Sequence, residues 1–255
     1  MIRWTFLLGF GGCVALAVGI EGSTQLAAQE SGVAERASSQ AIADEDFLSP
    51  YRTLAKEWEE DVQSISATNR TEGSSDHVLL LGSSSFRLWD HVAEDMAPYP
   101  IVRRAFGGAK YRDLAIYTPT CVQGLRFGRA MVFIANDIRG KDDDNDPKTV
   151  VRFANIVLDA LRREQPQAEI YLIAVTPTEA RFPYWSAIQQ INSELESIAK
   201  SRSQVHFVAT ALSFLDSQGQ PKTELFQEDR LHLNREGYQQ WARLLKDALA
   251  KSPAP

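Results

Sequence analysis

A run of hydroxyl side chains follows the first buried apolar segment of the chain. His77 to Leu81 is apolar after its first residue and leads into Gly82 and three consecutive serines, Ser83 to Ser85. A serine at the turn between a buried strand and a helix can act as a nucleophile, but serine is also a preferred helix N-cap. Phe86 stands where the G-x-S-x-G pattern of α/β-hydrolases has its last glycine. The run alone therefore fits both catalysis and capping.

A carboxylate and an imidazole lie close together near the other end of the chain. Asp229 precedes His232 by three residues, just before the last predicted helix. At this spacing the carboxylate can bind one imidazole nitrogen and leave the other to take a proton from a serine hydroxyl. Such a pair is often incidental, and its position after the last strand is what favours a function. His77, His91 and His206 are expected to be structural or solvent-facing.

Two turns after predicted strands offer donors for a developing oxyanion. Gly107 and Gly108 follow the second strand, where backbone N–H groups can approach a ligand closely. Asn136 follows the third strand, and its side-chain amide can donate a hydrogen bond. Each also has a simpler interpretation, because a glycine pair is typical of a turn and Asn136-Asp137 is typical of a cap.

Taken together, the four segments resemble the sequence blocks of the SGNH (GDSL-type) hydrolase family, in particular the branch whose first block reads G-S-S-S-[IF]-R-x-W. The resemblance extends from about Leu79 to Trp241. In that family the first functional position is the nucleophile, the next two complete the oxyanion hole, and the last two complete a Ser-His-Asp triad. The resemblance places these positions, in chain order, on Ser84, Gly108, Asn136, Asp229 and His232. It implies that neither a metal nor an organic cofactor is needed.

The sequence also departs from the family pattern near these positions. Ser83 replaces the aspartate of the G-D-S form, Arg103 and Ala105 stand where the second block usually has asparagine and glycine, and Ile134 replaces a glycine of the third block. A β-branched residue cannot adopt all the conformations of glycine. Ala105 and Ile134 could therefore shift the backbone around the oxyanion hole.

The predicted function is that of an exported serine esterase that hydrolyses carboxylic esters with short acyl groups, such as acetyl, through an acyl-enzyme. Two alternatives remain open: an acyltransferase that uses the same residues, and a catalytically silent carbohydrate-binding module. The expected partner is a small-molecule or glycan ester. Four side chains are predicted to contact it: Arg87, Arg181, Phe182 and Tyr184. For Arg87, a simple salt bridge is the competing interpretation.

The elements that must position these residues alternate along the chain. Five apolar runs have the length of buried strands: His77 to Leu81, Ile101 to Phe106, Ala130 to Ala135, Glu169 to Val175 and Val205 to Ala209. Helical patterns cover about Pro147 to Glu164, Tyr184 to Arg202 and Arg235 to Ala250. This alternation predicts an α/β fold, a flavodoxin-like three-layer α/β/α sandwich around a mostly parallel five-stranded sheet, with function at the carboxyl ends of its strands.

A further amphipathic helix is predicted ahead of the first strand, from about Ser49 to Ser66. Its apolar stripe consists of Leu54, Trp58, Val62 and Ile65 at helical spacing. Core packing is the role expected for this stripe.

Composition narrows the class of protein. The chain has 255 residues, of which 44% are hydrophobic and 24% charged, which suits a globular domain. The net charge is −6, the opposite of what phosphate contacts require, so nucleic acid is not an expected partner. One esterase domain is predicted over residues 47–250.

The N-terminus reads as an export signal. Arg3 precedes an apolar run from Trp4 to Ile20, which predicts a signal peptide over residues 1–28, a disordered linker over 29–46, and a short tail at 251–255. The mature chain would then be secreted, periplasmic or at the cell envelope, without a membrane span. An uncleaved anchor and a lipid on Cys13 are alternatives. Cleavage would leave Cys121 alone, so no intramolecular disulfide is expected.

Two surface motifs are ambiguous. Asn69-Arg70-Thr71 is either a glycosylation acceptor or simply a surface loop. The acidic run from Asp142 to Asp146 invites a calcium site, but Pro147 and Phe153 break the EF-hand pattern, which favours a solvated loop.

Overall fold

The computed structural model describes residues 35, 36 and 38–251. The predicted signal peptide, Cys13, residues 29–34 of the predicted linker and residues 252–255 of the tail lie outside the described residues. The chain divides into two compact units, Met1–Phe47 and Leu48–Pro255. Within the first unit residues 38–47 are helical, which corrects the disorder predicted for the linker there. Gln40 donates to Asp44 one turn later at 2.9 Å, a side-chain pair that favours helix.

Five parallel strands form the sheet at the centre of the second unit. They are β1 (Val78–Gly82), β2 (Ile101–Ala105), β3 (Arg129–Phe133), β4 (Glu169–Ile173) and β5 (Val205–Val208). All five confirm the predicted strands to within two residues at each end. The sheet order is β2-β1-β3-β4-β5. Because the chain leaves β1 toward one edge and β3 toward the other, a crevice opens between the carboxyl ends of these two strands.

Helices cover both faces of the sheet, as the predicted three-layer sandwich requires. They are α1 (Arg52–Ala55), α2 (Glu59–Ser66), α3 (Ser84–Arg87), α4 (Val92–Asp95), α5 (Tyr111–Val122), α6 (Pro147–Glu164), α7 (Trp185–Ser201) and α8 (Arg235–Lys251). Leu80 of β1 packs in one core with Trp241 and Leu245 of α8. Successive side chains of a strand point to opposite faces, and Leu79 and Leu81 are also fully buried. Both faces of β1 are therefore buried, as in other parallel sheets.

The segment ahead of the sheet differs from the single amphipathic helix that was predicted. Between Ser49 and Ser66 the chain alternates 3-10 turns (Ser49–Tyr51 and Lys56–Trp58) with the short helices α1 and α2. A 3-10 turn has three residues rather than 3.6, so each switch rotates the apolar stripe. As a result Leu54 is 51% exposed, while its neighbour Ala55 is fully buried.

Helix α5 was not predicted from the sequence. Pro119 interrupts its pattern, and the helix buries a charged pair, Arg112 and Asp113, which reads as surface in the sequence. Asp113 lies in the first turn and accepts the backbone N–H of Lys110 at 2.8 Å. This capping interaction lets the helix begin directly after the Gly107-Gly108 turn.

Asn69 fastens the segment before β1 to the rest of the domain. Its amide donates to the backbone oxygens of Thr120 and Gln123 at 3.0 and 3.3 Å, and its Oδ1 accepts Nε of the buried Arg104 at 2.8 Å. Asn69 itself is only 5% exposed. Arg70 and Thr71 are exposed in a turn, as a surface loop predicts, but the side chain of Asn69 is buried, and the folded chain has no room for a glycan on this amide.

Candidate active site

The turn after β1 is shaped by packing around Ser84. A Cβ on Gly82 would lie 2.4 Å from the backbone oxygen of Phe133 of β3, so only glycine fits there. Two positions further, Ser84 begins α3, and Phe86 of that helix stacks on Trp241 of α8 at 5.2 Å between ring centroids. The hydroxyl of Tyr238 donates to the backbone oxygen of Ser85 at 2.8 Å. Helix α8 thus holds the serine turn from behind and leaves Ser84 at the crevice.

Asp229, His232 and Ser84 form one hydrogen-bonded chain. Nδ1 of His232 lies 2.6 Å from Oδ2 of Asp229, and Nε2 lies 3.0 Å from Oγ of Ser84. The backbone N–H groups of Leu231 and His232 donate to Oδ1 of Asp229 at 2.9 and 3.0 Å. Burial opposes ionisation of this carboxyl, but the hydrogen bonds from His232 and Leu231 outweigh it and lower its pKa below the ordinary value. An ionised Asp229 can therefore orient the imidazole toward Ser84.

Gly108 and Asn136 border the same crevice. Gly108 has a φ of +82°, and a Cβ there would lie 2.9 Å from the indole ring of Trp58, so both conformation and space require glycine. Asn136 lies in the segment after β3 and is 6% exposed. Its Nδ2 donates to the backbone oxygen of Ala109 at 2.9 Å and lies 3.3 Å from Oγ of Ser83.

Arg181 contacts Asn136 from the side opposite these acceptors. It belongs to a 3-10 turn, Glu179–Tyr184, between β4 and α7. Its Nη2 donates to Oδ1 of Asn136 and its Nη1 to the backbone oxygen of Ala135, both at 2.6 Å. Burial, together with the nearby positive charge of Arg139, lowers the pKa of Arg181 to about 10, so the guanidinium stays charged at neutral pH.

Two hollows of unequal size meet at Ser84 and His232. The smaller has a volume of about 20 Å³ and is walled by side chains that include Ala135, Thr176 and Phe226. The larger, about 520 Å³, is open to solvent and is lined by these residues: Trp58, Asp61, Ser84, Arg87, Leu88, Gly107, Gly108, Asn136, Leu231 and His232. The site therefore has a narrow side and a wide side.

Of the four residues predicted to contact the substrate, the two arginines lie at the hollows and the two aromatic residues do not. Arg87 is exposed in the wide hollow, and its guanidinium makes no hydrogen bond or ion pair with any residue that the structure describes. Phe182 instead stacks on Trp185 at 6.4 Å, and Tyr184 lies against Gly140, outside the linings of both hollows. The turn that carries them directs Arg181 inward and the two aromatic rings elsewhere.

The sequence did not indicate two residues of the wide hollow, Trp58 and Asp61. Trp58 was interpreted as a core residue, but it is only half-buried and packs on Phe106 at 5.8 Å between ring centroids. Both residues come from the segment ahead of the sheet, far from any of the four motifs. No local signal distinguishes them from the other residues of an amphipathic stripe.

Two departures from the family pattern, Ala105 and Ile134, lie away from the crevice, whereas Ser83 lines the narrow hollow. Ile134 is 1% exposed and lines a small cavity together with Ile188 and Ile191 of α7, and it is not among the described residues with positive φ. Ala105 is buried in the core that includes β1 and α8. Neither side chain lines the two hollows beside Ser84, so neither crowds the oxyanion position.

The acidic run after β3 is largely exposed, as a solvated loop predicts, and several of its carboxylates are held by the chain's own donors. Asp143 pairs with the buried Lys110 at 2.8 Å, and hydrogen bonds from that lysine lower the pKa of Asp143 to about 2. Asp144 accepts the backbone N–H of Arg139, and Asp146 caps α6. Among the described residues no group of three or more His, Cys, Asp or Glu side chains is arranged to hold a metal ion.

Solved structures with the same fold include several hydrolases. A Streptococcus pneumonia protein described provisionally as a platelet activating factor has a TM-score of 0.66 at 24% identity, covering 78% of this chain and 95% of its own. A GDSL-like lipase from Bacteroides thetaiotaomicron has a TM-score of 0.60 at 17% identity, and the match covers 77% of this chain and 97% of the lipase. An acetyl esterase mutant solved with an acetate ion has a TM-score of 0.54 at 15% identity, and the match covers 69% of this chain and 96% of the esterase. At these identities the likeness concerns the fold.

The comparison at the level of sequence concerns the family. A search of curated proteins gave no match. The GDSL-like Lipase/Acylhydrolase family matches residues 68–240, more than half of the chain, a span that contains β1 to β5 and every residue from Ser84 to His232. The chain therefore belongs to the GDSL-like lipase/acylhydrolase family.

Proposed function

We propose that this hydrolase cleaves carboxylic esters with short acyl groups, and that Ser84 is its nucleophile. The observation that carries the proposal is the unbroken chain of hydrogen bonds from Asp229 through His232 to Oγ of Ser84. Ser84 begins a helix beside the crevice between β1 and β3, where ligands bind in sheets of this kind. The family membership and the esterase among the structural neighbours agree with ester chemistry.

In the proposed reaction His232 accepts the proton of Ser84 while Oγ attacks the ester carbonyl carbon. The tetrahedral intermediate collapses, the imidazolium gives its proton to the departing alcohol, and an acyl-enzyme remains. Water then attacks the acyl-enzyme with His232 again as base, and the imidazolium returns the proton to Oγ of Ser84 as the acid leaves. Asp229 keeps the imidazole oriented and stabilises its charged form without itself becoming protonated.

Three donors are proposed for the oxyanion: the backbone N–H groups of Ser84 and Gly108 and the amide of Asn136. Within the described part of the chain, neither backbone N–H donates to another backbone oxygen. One Asn136 N–H points to Ser83 at the long distance of 3.3 Å, so it can turn to a ligand at small cost. Donors that are already in place stabilise the charge without reorganisation.

The short-acyl preference rests on the unequal hollows beside Ser84. The narrow one, at about 20 Å³, has room for little more than a water molecule or a methyl group. The wide one, at about 520 Å³, can take a much larger group. We assign the acyl group to the narrow side and the alcohol to the wide side, which suits an acetyl ester of a bulky alcohol such as a glycan.

The test is hydrolysis of p-nitrophenyl acetate by the purified protein and by Ser84→Ala. We expect the turnover number to fall by about 10³-fold or more, because the nucleophile is lost. Ser85→Ala is the matched control, since Ser85 is the adjacent serine and only its backbone oxygen is held by Tyr238. Hydrolysis that persists in a folded Ser84→Ala protein would exclude this mechanism. Retention of acetylated glycan without turnover would instead favour the binding module, and transfer to a sugar acceptor the transferase.

Export and domain limits also belong to this proposal. The signal peptide over residues 1–28 rests on Arg3 and the apolar run that follows it. Within the described residues, no helix combines the length and the apolar character needed to span a bilayer. We propose that residues 47–250 form the esterase domain and act outside the cytoplasm.

A further inference from the structure

The guanidinium of Arg181 lies behind the proposed oxyanion hole. It lies within hydrogen-bond distance of two oxygens at the end of β3, Oδ1 of Asn136 and the backbone oxygen of Ala135, each at 2.6 Å. Two charge-assisted hydrogen bonds from one planar group fix both its position and its direction. The side chain is thus committed to the Asn136 segment.

From this geometry we infer that Arg181 is a positioning residue for ester hydrolysis, which acts on the reaction by orienting and polarising the amide of Asn136. The inference deepens the proposed function and rests on it. It differs from the sequence-based expectation that Arg181 binds substrate directly.

Orientation is the first part of the argument. The two ends of an asparagine amide are nearly the same size, so a rotation of 180° would place Oδ1 where Nδ2 now lies. An oxygen facing the developing oxyanion would repel it, whereas the N–H stabilises it. Arg181 can only donate, and Ala109 presents only a carbonyl oxygen, so contacts of opposite polarity hold the two ends of the amide. Arg181 supplies the charged one.

Polarisation is the second part of the argument. A positive group at the carbonyl oxygen of an amide favours the resonance form with positive charge on nitrogen, which makes the N–H a stronger donor. Hydrogen bonds in a chain strengthen one another, and burial increases the effect. Asn136 is 6% exposed, so little solvent screens the interaction.

The turn that carries Arg181 also contacts the loop of the proposed triad. The backbone N–H of Ala180 donates to the backbone oxygen of Arg230 at 3.2 Å, and Glu179 forms an ion pair with the same residue. Arg230 lies between Asp229 and His232. One turn therefore sets the position of Asn136 and of the histidine loop relative to each other.

Steady-state kinetics on p-nitrophenyl acetate test the inference through a double-variant cycle. The variants are Arg181→Met, Asn136→Ala and the double variant, with Arg181→Lys as the conservative change. We expect Asn136→Ala to lower kcat by about 10²-fold, and Arg181→Met to lower kcat by about 10-fold with KM within about twofold, because part of one donor's effect is lost. Adding Arg181→Met to Asn136→Ala should lower kcat no further, and Arg181→Lys should recover part of the loss.

Several outcomes would overturn the inference. Losses that multiply in the double variant would show that Arg181 acts independently of Asn136. A rise in KM at unchanged kcat would make Arg181 a substrate contact. Arg139→Met is the matched control, because it removes a neighbouring positive charge without touching Asn136; an equal loss there would reduce the effect to general electrostatics.

A second readout does not depend on turnover. In an ¹H–¹⁵N spectrum the side-chain amide of Asn136 is identified by its absence in Asn136→Ala, and we expect its two protons to shift and exchange faster in Arg181→Met. An unchanged amide signal would overturn the inference. Ser84→Ala, measured in the same assay, distinguishes failure of the proposed function from failure of this inference. If Ser84→Ala stays active, the proposed function is wrong. If Ser84→Ala is inactive but the losses in the double variant multiply, only the role of Arg181 is wrong.

Discussion

His232 meets Ser84 across a sequence separation of 148 residues, and the contact depends on what holds each residue from behind. Asp229 fixes the imidazole through Nδ1, and the backbone N–H groups of the same loop hold Asp229. Ser84 has no such side-chain support and depends on the packing of Phe86 and on the start of α3. The proposed reaction therefore depends on a few side chains with little freedom to move.

Arg87 is the residue from which we expect a pure binding effect. Its guanidinium lies over Gly107 in the wide hollow, is exposed, and has no partner among the described residues, so it is free to bind the alcohol side of a substrate. Arg87→Ala should raise KM for an O-acetylated oligosaccharide by about tenfold, the value of one hydrogen bond to a charged group, and leave kcat unchanged.

Parallel measurements on p-nitrophenyl acetate serve as the control for Arg87. This small ester does not fill the wide hollow, so its KM should not respond to Arg87→Ala. Equal changes for both esters would contradict a role on the alcohol side.

At the scale of elements, the segment before β1 is attached to the sheet by buried polar contacts as well as by apolar packing. Arg104 of β2 is 2% exposed and donates to Asn69 and Glu72 of that segment. Trp58 of the same segment reaches the wide hollow. The attachment of this segment to the sheet therefore influences the shape of the wide hollow as well as the stability of the fold.

Asn69→Ala tests this attachment. The change removes three hydrogen bonds and leaves Nε of the buried Arg104 without its acceptor, so we expect the free energy of unfolding to fall by about 2–3 kcal/mol. Urea-induced unfolding measures it, with the exposed Gln63→Ala of α2 as a control expected to stay within about 0.5 kcal/mol. An Asn69→Ala protein as stable as that control would show that the attachment is apolar.

At the scale of the whole molecule, two carboxyl groups near the crevice affect stability in opposite directions as the pH changes. Lys110 lowers the pKa of Asp143 to about 2, so the stability that the ionised Asp143 contributes is lost only in strong acid. Burial raises the pKa of Asp137 to about 6, despite hydrogen bonds from Asn145 and the backbone of Tyr111. Since the folded chain holds this proton more tightly than the unfolded chain, the contribution of Asp137 falls as the pH rises from about 4 through 6.

Asp137→Asn should remove that dependence. The stability of the natural protein minus that of Asp137→Asn should fall by about 3 kcal/mol between pH 4 and pH 7, from a pKa shift of about two units. Urea unfolding at several pH values measures the difference. Asp142→Asn, an exposed change of the same charge, is the control, and parallel curves for Asp137→Asn and the natural protein would contradict the assignment.

The sequence by itself determined the features that depend on neighbouring residues. Buried strands appear as short apolar runs, so β1 to β5 were predicted to within two residues. Asp229 and His232 are three residues apart on one loop, so their contact was foreseeable from spacing. Helix α5 was missed because its buried Arg112 and Asp113 satisfy each other, which composition does not reveal.

Only the tertiary structure decided which way the side chains at the crevice point. Arg181, Phe182 and Tyr184 lie on one turn and carried the same prediction, yet only Arg181 faces the site, where it binds Asn136 rather than the open hollow. Trp58 lines the wide side because 3-10 turns rotate the stripe of its segment. Periodicity and spacing record which residues are buried, whereas the direction of a side chain depends on partners brought together from distant parts of the chain.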